Sequence, residues 1–151
     1  MRTREWEFIS EDRSVKHKVK DILLYSDERE KIVLEFKPVR FPEDGNIMWE
    51  DWNNYDSIQV FKTDYERLLL NPIRSIFPVN DPDPNGWGMQ KCFDLTSMNF
   101  FGKDDWIKLI DVIKITSGSA DDCEKEFYDM VVKYLIDIME VSDYYCIEGN
   151  L

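Results

Sequence analysis

Apolar positions in the second half of the chain follow a helical period. Trp106, Leu109, Ile110 and Ile113 recur at i, i+3, i+4 and i+7 and so share one helix face. Asp104 and Asp105 stand where the unpaired N–H groups and positive dipole of a helix start favour carboxylates. Asp104 and Lys108 lie four apart in the favourable acid-first order. Just upstream, Phe93 and Leu95 sit two apart in a strand-compatible run that Gly102 breaks, so residues 92–114 read as strand, turn, helix. A longer periodic run follows: Cys123, Phe127, Met130, Val131, Tyr134, Leu135 and Ile138 advance by threes and fours over about five helical turns. Ser119 and Asp122 have the spacing of a capping box in front of it.

The first half alternates instead. Trp6 and Phe8 alternate with Glu5 and Glu7 in an edge-like strand, and Val15, His17 and Val19 alternate with Lys16, Lys18 and Lys20. Val19, Ile22 and Leu23 also fit a short helix; the neighbouring alternation favours strand. With Ile32, Leu34 and Phe36 following a polar stretch, residues 15–37 read as a hairpin that Pro38 and Pro42 end. Ile58 and Val60 suggest a short strand. Thr63, Asp64 or both then cap a helix with Tyr65, Leu68 and Leu69 on one face, limited by Pro72 and Pro78. Residues 78–88, rich in proline and glycine, read as an irregular loop, and the tail DYYCIEGNL as a last short strand or a packed end. These elements predict one α+β domain: an antiparallel or mixed sheet from the N-terminal half plus a strand at 90–101, with two to three helices packed on it.

Composition agrees with a single domain. A chain of 151 residues buries roughly two-thirds of the surface its unfolded form exposes. Hydrophobic residues at 43% and charged residues at 33% supply both a core and a solvated surface. Five Trp, seven Tyr and nine Phe are more than a small core readily hides, which points to aromatics facing a partner. Lys plus Arg number 19 against 31 Asp plus Glu, a net charge of −12 that repels nucleic acid and anionic membranes and attracts basic proteins. The same charge also serves simple solubility. Cys92, Cys123 and Cys146 are odd in number and lack CxxC spacing, so reduced, mostly buried thiols are expected rather than a disulfide framework or a zinc site. The charged N-terminus lacks a signal-peptide pattern and no stretch approaches the ~20 apolar residues that span a bilayer, which predicts a cytoplasmic protein.

Catalytic chemistry finds little to use. His17, the one histidine, sits among lysines in a strand, and the carboxylate pairs at 104–105 and 121–122 read as helix starts. Asp81-Pro-Asp83-Pro-Asn85-Gly86 matches the first half of an EF-hand loop, but position twelve is Cys92 where a bidentate Glu is needed. No cofactor or metal is expected. The best binding candidate is the 43–56 segment, where Trp49, Trp52 and Tyr55 are interleaved with Glu50, Asp51 and Asp56. Aromatics anchor interfaces and surrounding carboxylates steer a basic partner. The same tryptophans also suit an inward-packed loop.

FDLTSMNFFGKDDWIKLIDVIK, residues 93–114, resembles a segment of the small bacterial immunity proteins paired with polymorphic and contact-dependent growth-inhibition toxins, chiefly in Phe93-Asp94 and in Gly102-Lys103-Asp104-Asp105-Trp106. The resemblance covers about twenty-two residues, and the chain's size and acidity agree with it. It implies a bacterial cytoplasmic protein without enzymatic activity that binds one cognate toxin, often a basic nuclease, and covers its active or essential surface. On that reading Trp49, Glu50, Asp51, Trp52, Tyr55 and Asp56, with Asp81 and Asp83, contact the toxin. The rival classes are a regulatory or structural subunit for another basic partner and a small carboxylate- or metal-dependent enzyme.

Overall fold

The computed structural model describes residues 1–9, 11–13, 16–41, 48–49, 57–86 and 88–151. One mixed sheet carries three helices on one face, which is the expected α+β domain. Its main path runs β1 (Arg2–Ile9), β2 (Lys16–Leu23), β5 (Ser57–Phe61), β3 (Val33–Arg40), β9 (Tyr144–Gly149), β8 (Met98–Gly102). Short β4 (Met48–Trp49) pairs with the end of β3. A separate two-stranded ribbon joins β6 (Val79–Asn80) to β7 (Met89–Gln90). The helices are α1 at 62–75, interrupted by a π-helical turn at Tyr65–Leu69, then α2 (Lys103–Ser117) and α3 (Asp122–Asp137), which ends in a 3-10 turn at Ile138–Glu140.

The helices and the sheet share one core. Ile22, Leu34, Phe36, Ile58, Val60, Phe101, Tyr145 and Ile147 from the strands meet Leu69 and Ile73 of α1, Trp106, Leu109 and Ile113 of α2, and Phe127, Val131 and Leu135 of α3. Trp106 is its centre: fully buried, stacked on Tyr145 at 4.7 Å, with its indole N–H donating to the Leu135 carbonyl at 3.0 Å. The helical face expected at 106–113 is therefore the buried one.

Several expectations need correction. Residues 15–37 do not form a hairpin. The hairpin is β1–β2, and β5 inserts between β2 and β3, parallel to the first and antiparallel to the second. Four of the five β5 residues are buried, so this strand belongs inside the sheet, and the connection at 24–32 is long enough to let it in. Nor does Pro38 end β3. It lies within the strand, opposite Tyr145 of β9 and between the part of β3 that pairs β5 and the part that pairs β4. The strand expected at 90–101 begins only at Met98. Asp94 takes the Thr96 N–H and the Thr96 and Ser97 hydroxyls, folding 94–97 into a turn that a pattern of apolar residues does not reveal.

Helix starts also moved. The cap of α3 is Asp121, whose Oδ1 accepts the Glu124 N–H at 2.8 Å, two residues past the expected Ser119. In α1 neither Thr63 nor Asp64 caps; Glu30, from the connection before β3, accepts the Thr63 N–H and hydroxyl. Asp64 is fully buried and accepts the N–H groups of Leu24 and Tyr25 at 2.9 and 2.7 Å, tying α1 to the end of β2. Pro72 sits inside α1 instead of ending it. It cannot donate to the Leu68 carbonyl, and the buried Tyr128 hydroxyl does so at 2.8 Å. Of the three cysteines only Cys146 is buried; Cys92 and Cys123 are exposed thiols, so Cys123 lies off the α3 core face.

Candidate binding face

Alternation along the strands sorts side chains to the two sides of the sheet. Those that point away from the helices make the second face, and among the described residues no helix covers it. Cross-strand register lines up Arg4, Asp21, Gln59, Glu35 and Glu148 in one row, with Trp6, Val19 and Ser57 in the next.

Three groups occupy this face. At the β1 side, Asp21 is buried and accepts from Arg4 Nε at 2.8 Å and from the Trp6 indole N–H at 3.1 Å. The indole bond holds the Trp6 ring in place while the residue stays 41% exposed. Phe8 stacks on His17 at 5.2 Å. In the middle, Lys37 Nζ lies 2.7 Å from Glu35 and 2.9 Å from Glu148, and Gln59 donates to Glu35 at 3.0 Å. Burial pushes the Glu35 carboxyl up, but the Lys37 charge and the hydrogen bonds from Lys37 and Gln59 outweigh it and hold the group below its ordinary value. Burial likewise pushes the Lys37 ammonium down, and the attraction of Glu35 with the hydrogen bonds to Glu35 and Glu148 leaves it raised. At the far side, Phe41 meets Phe100 and Tyr144 edge-on, each at 5.2 Å, over Val39 and Cys146. Burial pushes the Cys146 thiol up to about 12.

A shallow depression of about 670 Å³ opens beside the first group, with Arg4, Trp6, Asp21, Gln59, Phe61 and Asn150 among the residues that line it. Within it Arg4 and Trp6 both donate to Asp21, Gln59 donates to Glu35, and Asn150 accepts the Val33 N–H and donates to the Lys31 carbonyl.

No family model, curated protein or solved structure matches the chain.

The residues expected to bind a partner fall in two places. Trp49 belongs to β4, opposite Val39 of β3, while Glu50, Asp51, Trp52, Tyr55 and Asp56 lie outside the described residues. Asp81 and Asp83 share the β6–β7 loop, where each is turned onto its own backbone. Asp81 Oδ1 accepts the Asp83 N–H and Asp83 Oδ1 the Asn85 N–H, both at 2.9 Å. A Cβ at Gly86 would meet the Asp81 carboxylate, which would have to shift from its turn-forming position. These are turn-forming roles, and among the described residues no cluster of three or more His, Cys, Asp or Glu converges as metal ligands. The segment 93–114 builds the core: Phe93, Phe101, Trp106, Leu109, Ile110 and Ile113 are all buried.

Sequence reasoning did not assemble the Arg4–Asp21–Trp6 and Glu35–Lys37–Glu148 groups. Their signal was the alternation itself, since Glu35 and Lys37 share a strand face and Arg4 and Trp6 share another. Which strands lie beside one another was not readable from it.

Proposed function

We propose that this chain is an immunity-type binding protein, which neutralises a basic cognate toxin domain by covering its active or essential surface. The observation that carries the reading is where the negative charge sits. Among the described residues Asp21, Asp64 and Asp105 are the buried acidic residues and the Glu35 side chain is nearly so, while most of the other described carboxylates project into solvent. Such a field accelerates encounter with a cationic surface and opposes nucleic acid. Aromatic anchors then slow dissociation. The contact set is Trp49, Glu50, Asp51, Trp52, Tyr55 and Asp56, with Asp81 and Asp83 contributing charge from their loop.

The enzyme alternative has less to stand on, because His17 is stacked on Phe8 and the buried carboxylates serve arginine, lysine or backbone N–H groups. The test uses the product of the adjacent reading frame. Its C-terminal domain, produced with this chain, should co-purify, with an affinity that falls as salt rises, and should arrest growth only when the chain is absent. Full protection by the Trp49→Ala, Asp51→Ala, Trp52→Ala triple variant would overturn the assigned contacts. Absence of any complex at low salt would overturn the function.

A further inference from the structure

The two edges of the main sheet are treated differently. At the β8 edge the Gln90 side chain stands in for a neighbouring strand: its amide donates to the Phe100 carbonyl at 2.7 Å and its oxygen accepts the Phe100 N–H at 3.3 Å. At the opposite edge β1 runs for eight residues, all exposed, and no strand pairs its outer side among the described residues. An open strand of this length is a template for pairing. It also carries three large apolar residues in solvent, Trp6, Phe8 and Ile9, each more than 40% exposed.

Charge selects the occupant. The four charges of β1, on Arg2, Arg4, Glu5 and Glu7, cancel, and β2 adds Lys16, Lys18 and Lys20 against Asp21. The strands β1 and β2 thus carry no excess negative charge on an acidic molecule. They offer no net negative charge to attract a basic protein, and two copies meeting along β1, whose own charges cancel, bring no excess negative charge together.

We infer that the chain self-associates by antiparallel pairing of β1 with β1 of a second copy. A two-fold axis normal to the sheet keeps each face on its own side, so a residue must meet one of its own parity. The register centred on Trp6 sets Trp6 against Trp6 and Arg4 against Phe8 twice, an aromatic pair flanked by two cation–ring contacts. On the other face Glu5 meets Glu7, each with a lysine of its own chain on its inner side: Lys20 beside Glu5 and Lys18 beside Glu7. The bond from Trp6 to Asp21 fixes the ring before association, which reduces the ordering cost.

Sedimentation velocity of the full chain from low micromolar to hundreds of micromolar tests this. The expected result is a reversible monomer–dimer equilibrium that strengthens with added salt, because salt screens the repulsion of two −12 chains. Capture of a basic toxin weakens with salt, so failure of one reading is distinguishable from failure of the other. Trp6→Lys and, separately, Phe8→Lys should each raise the dimer dissociation constant by about tenfold or more. Met98→Lys, at the covered edge, should leave it unchanged. A monomer at every concentration overturns the inference, as does a dimer that survives both β1 substitutions with circular dichroism unaltered. Protection of β1 amides from exchange only on adding a basic protein would also overturn it, in favour of strand addition by that partner.

Discussion

Replacing Lys37 by methionine removes the charge between two carboxylates while keeping most of the side chain's length. Glu35 and Lys37 each keep only about one-seventh of their side-chain surface in solvent, 15% and 14%, and stand 2.7 Å apart. Breaking such a pair costs about 3–5 kcal/mol, since the remaining charge is left without its partner. Glu148, with 40% of its side chain exposed, adds little to that cost. Against a total stability of about 5–15 kcal/mol the loss is large enough for urea unfolding followed by tryptophan fluorescence.

The pH dependence identifies the cause. In the native chain the Glu35 pKa is lowered, so its contribution to stability is full above the ordinary value of 4.5 and fades as pH falls through the folded-state value. In Lys37→Met burial acts without the ammonium and raises the Glu35 pKa, so proton uptake stabilises the folded variant as pH falls. The gap between native and variant chains must therefore narrow on acidification. A loss under about 1 kcal/mol at neutral pH would refute the reasoning, as would a gap that stays constant down to the carboxylate range.

Asp64→Ala leaves the partly buried Leu24 and Tyr25 N–H groups without their acceptor and should cost about 1–3 kcal/mol by chemical denaturation, with Asp64→Asn costing less. Tyr128→Phe frees the Leu68 carbonyl that Pro72 cannot serve and should cost about 1–2 kcal/mol in the same assay, with little change in the folded spectrum. A thiol reagent at neutral pH should label Cys92 and Cys123 in the native protein and reach Cys146 only on unfolding, as counted by absorbance with and without denaturant.

Long periodic runs were the most legible parts of the chain. Trp106, Leu109, Ile110 and Ile113 announced a buried helix face, as did most of the set from Phe127 to Ile138, because a helix closes its own hydrogen bonds and its pattern depends on nothing distant. The open edge was legible for a similar reason, since Trp6 and Phe8 alternate with acids in a strand whose outer side none of the described residues pairs. Turn chemistry was less so: Asp94 and Asp121 act through hydrogen bonds to neighbours two or three residues away, and several residues nearby could have done the same.

The local periods of this protein, and hence its class, came from residue order alone, because side chains a few positions apart are held on one face by the backbone. The neighbours across space did not. That β5 divides β2 from β3, that β9 lies inside the sheet, and that Lys37 sits between Glu35 and Glu148 all follow from how strands far apart in the chain pair. Pairing is chosen by the burial of whole faces at once, a sum over the molecule that no short stretch contains.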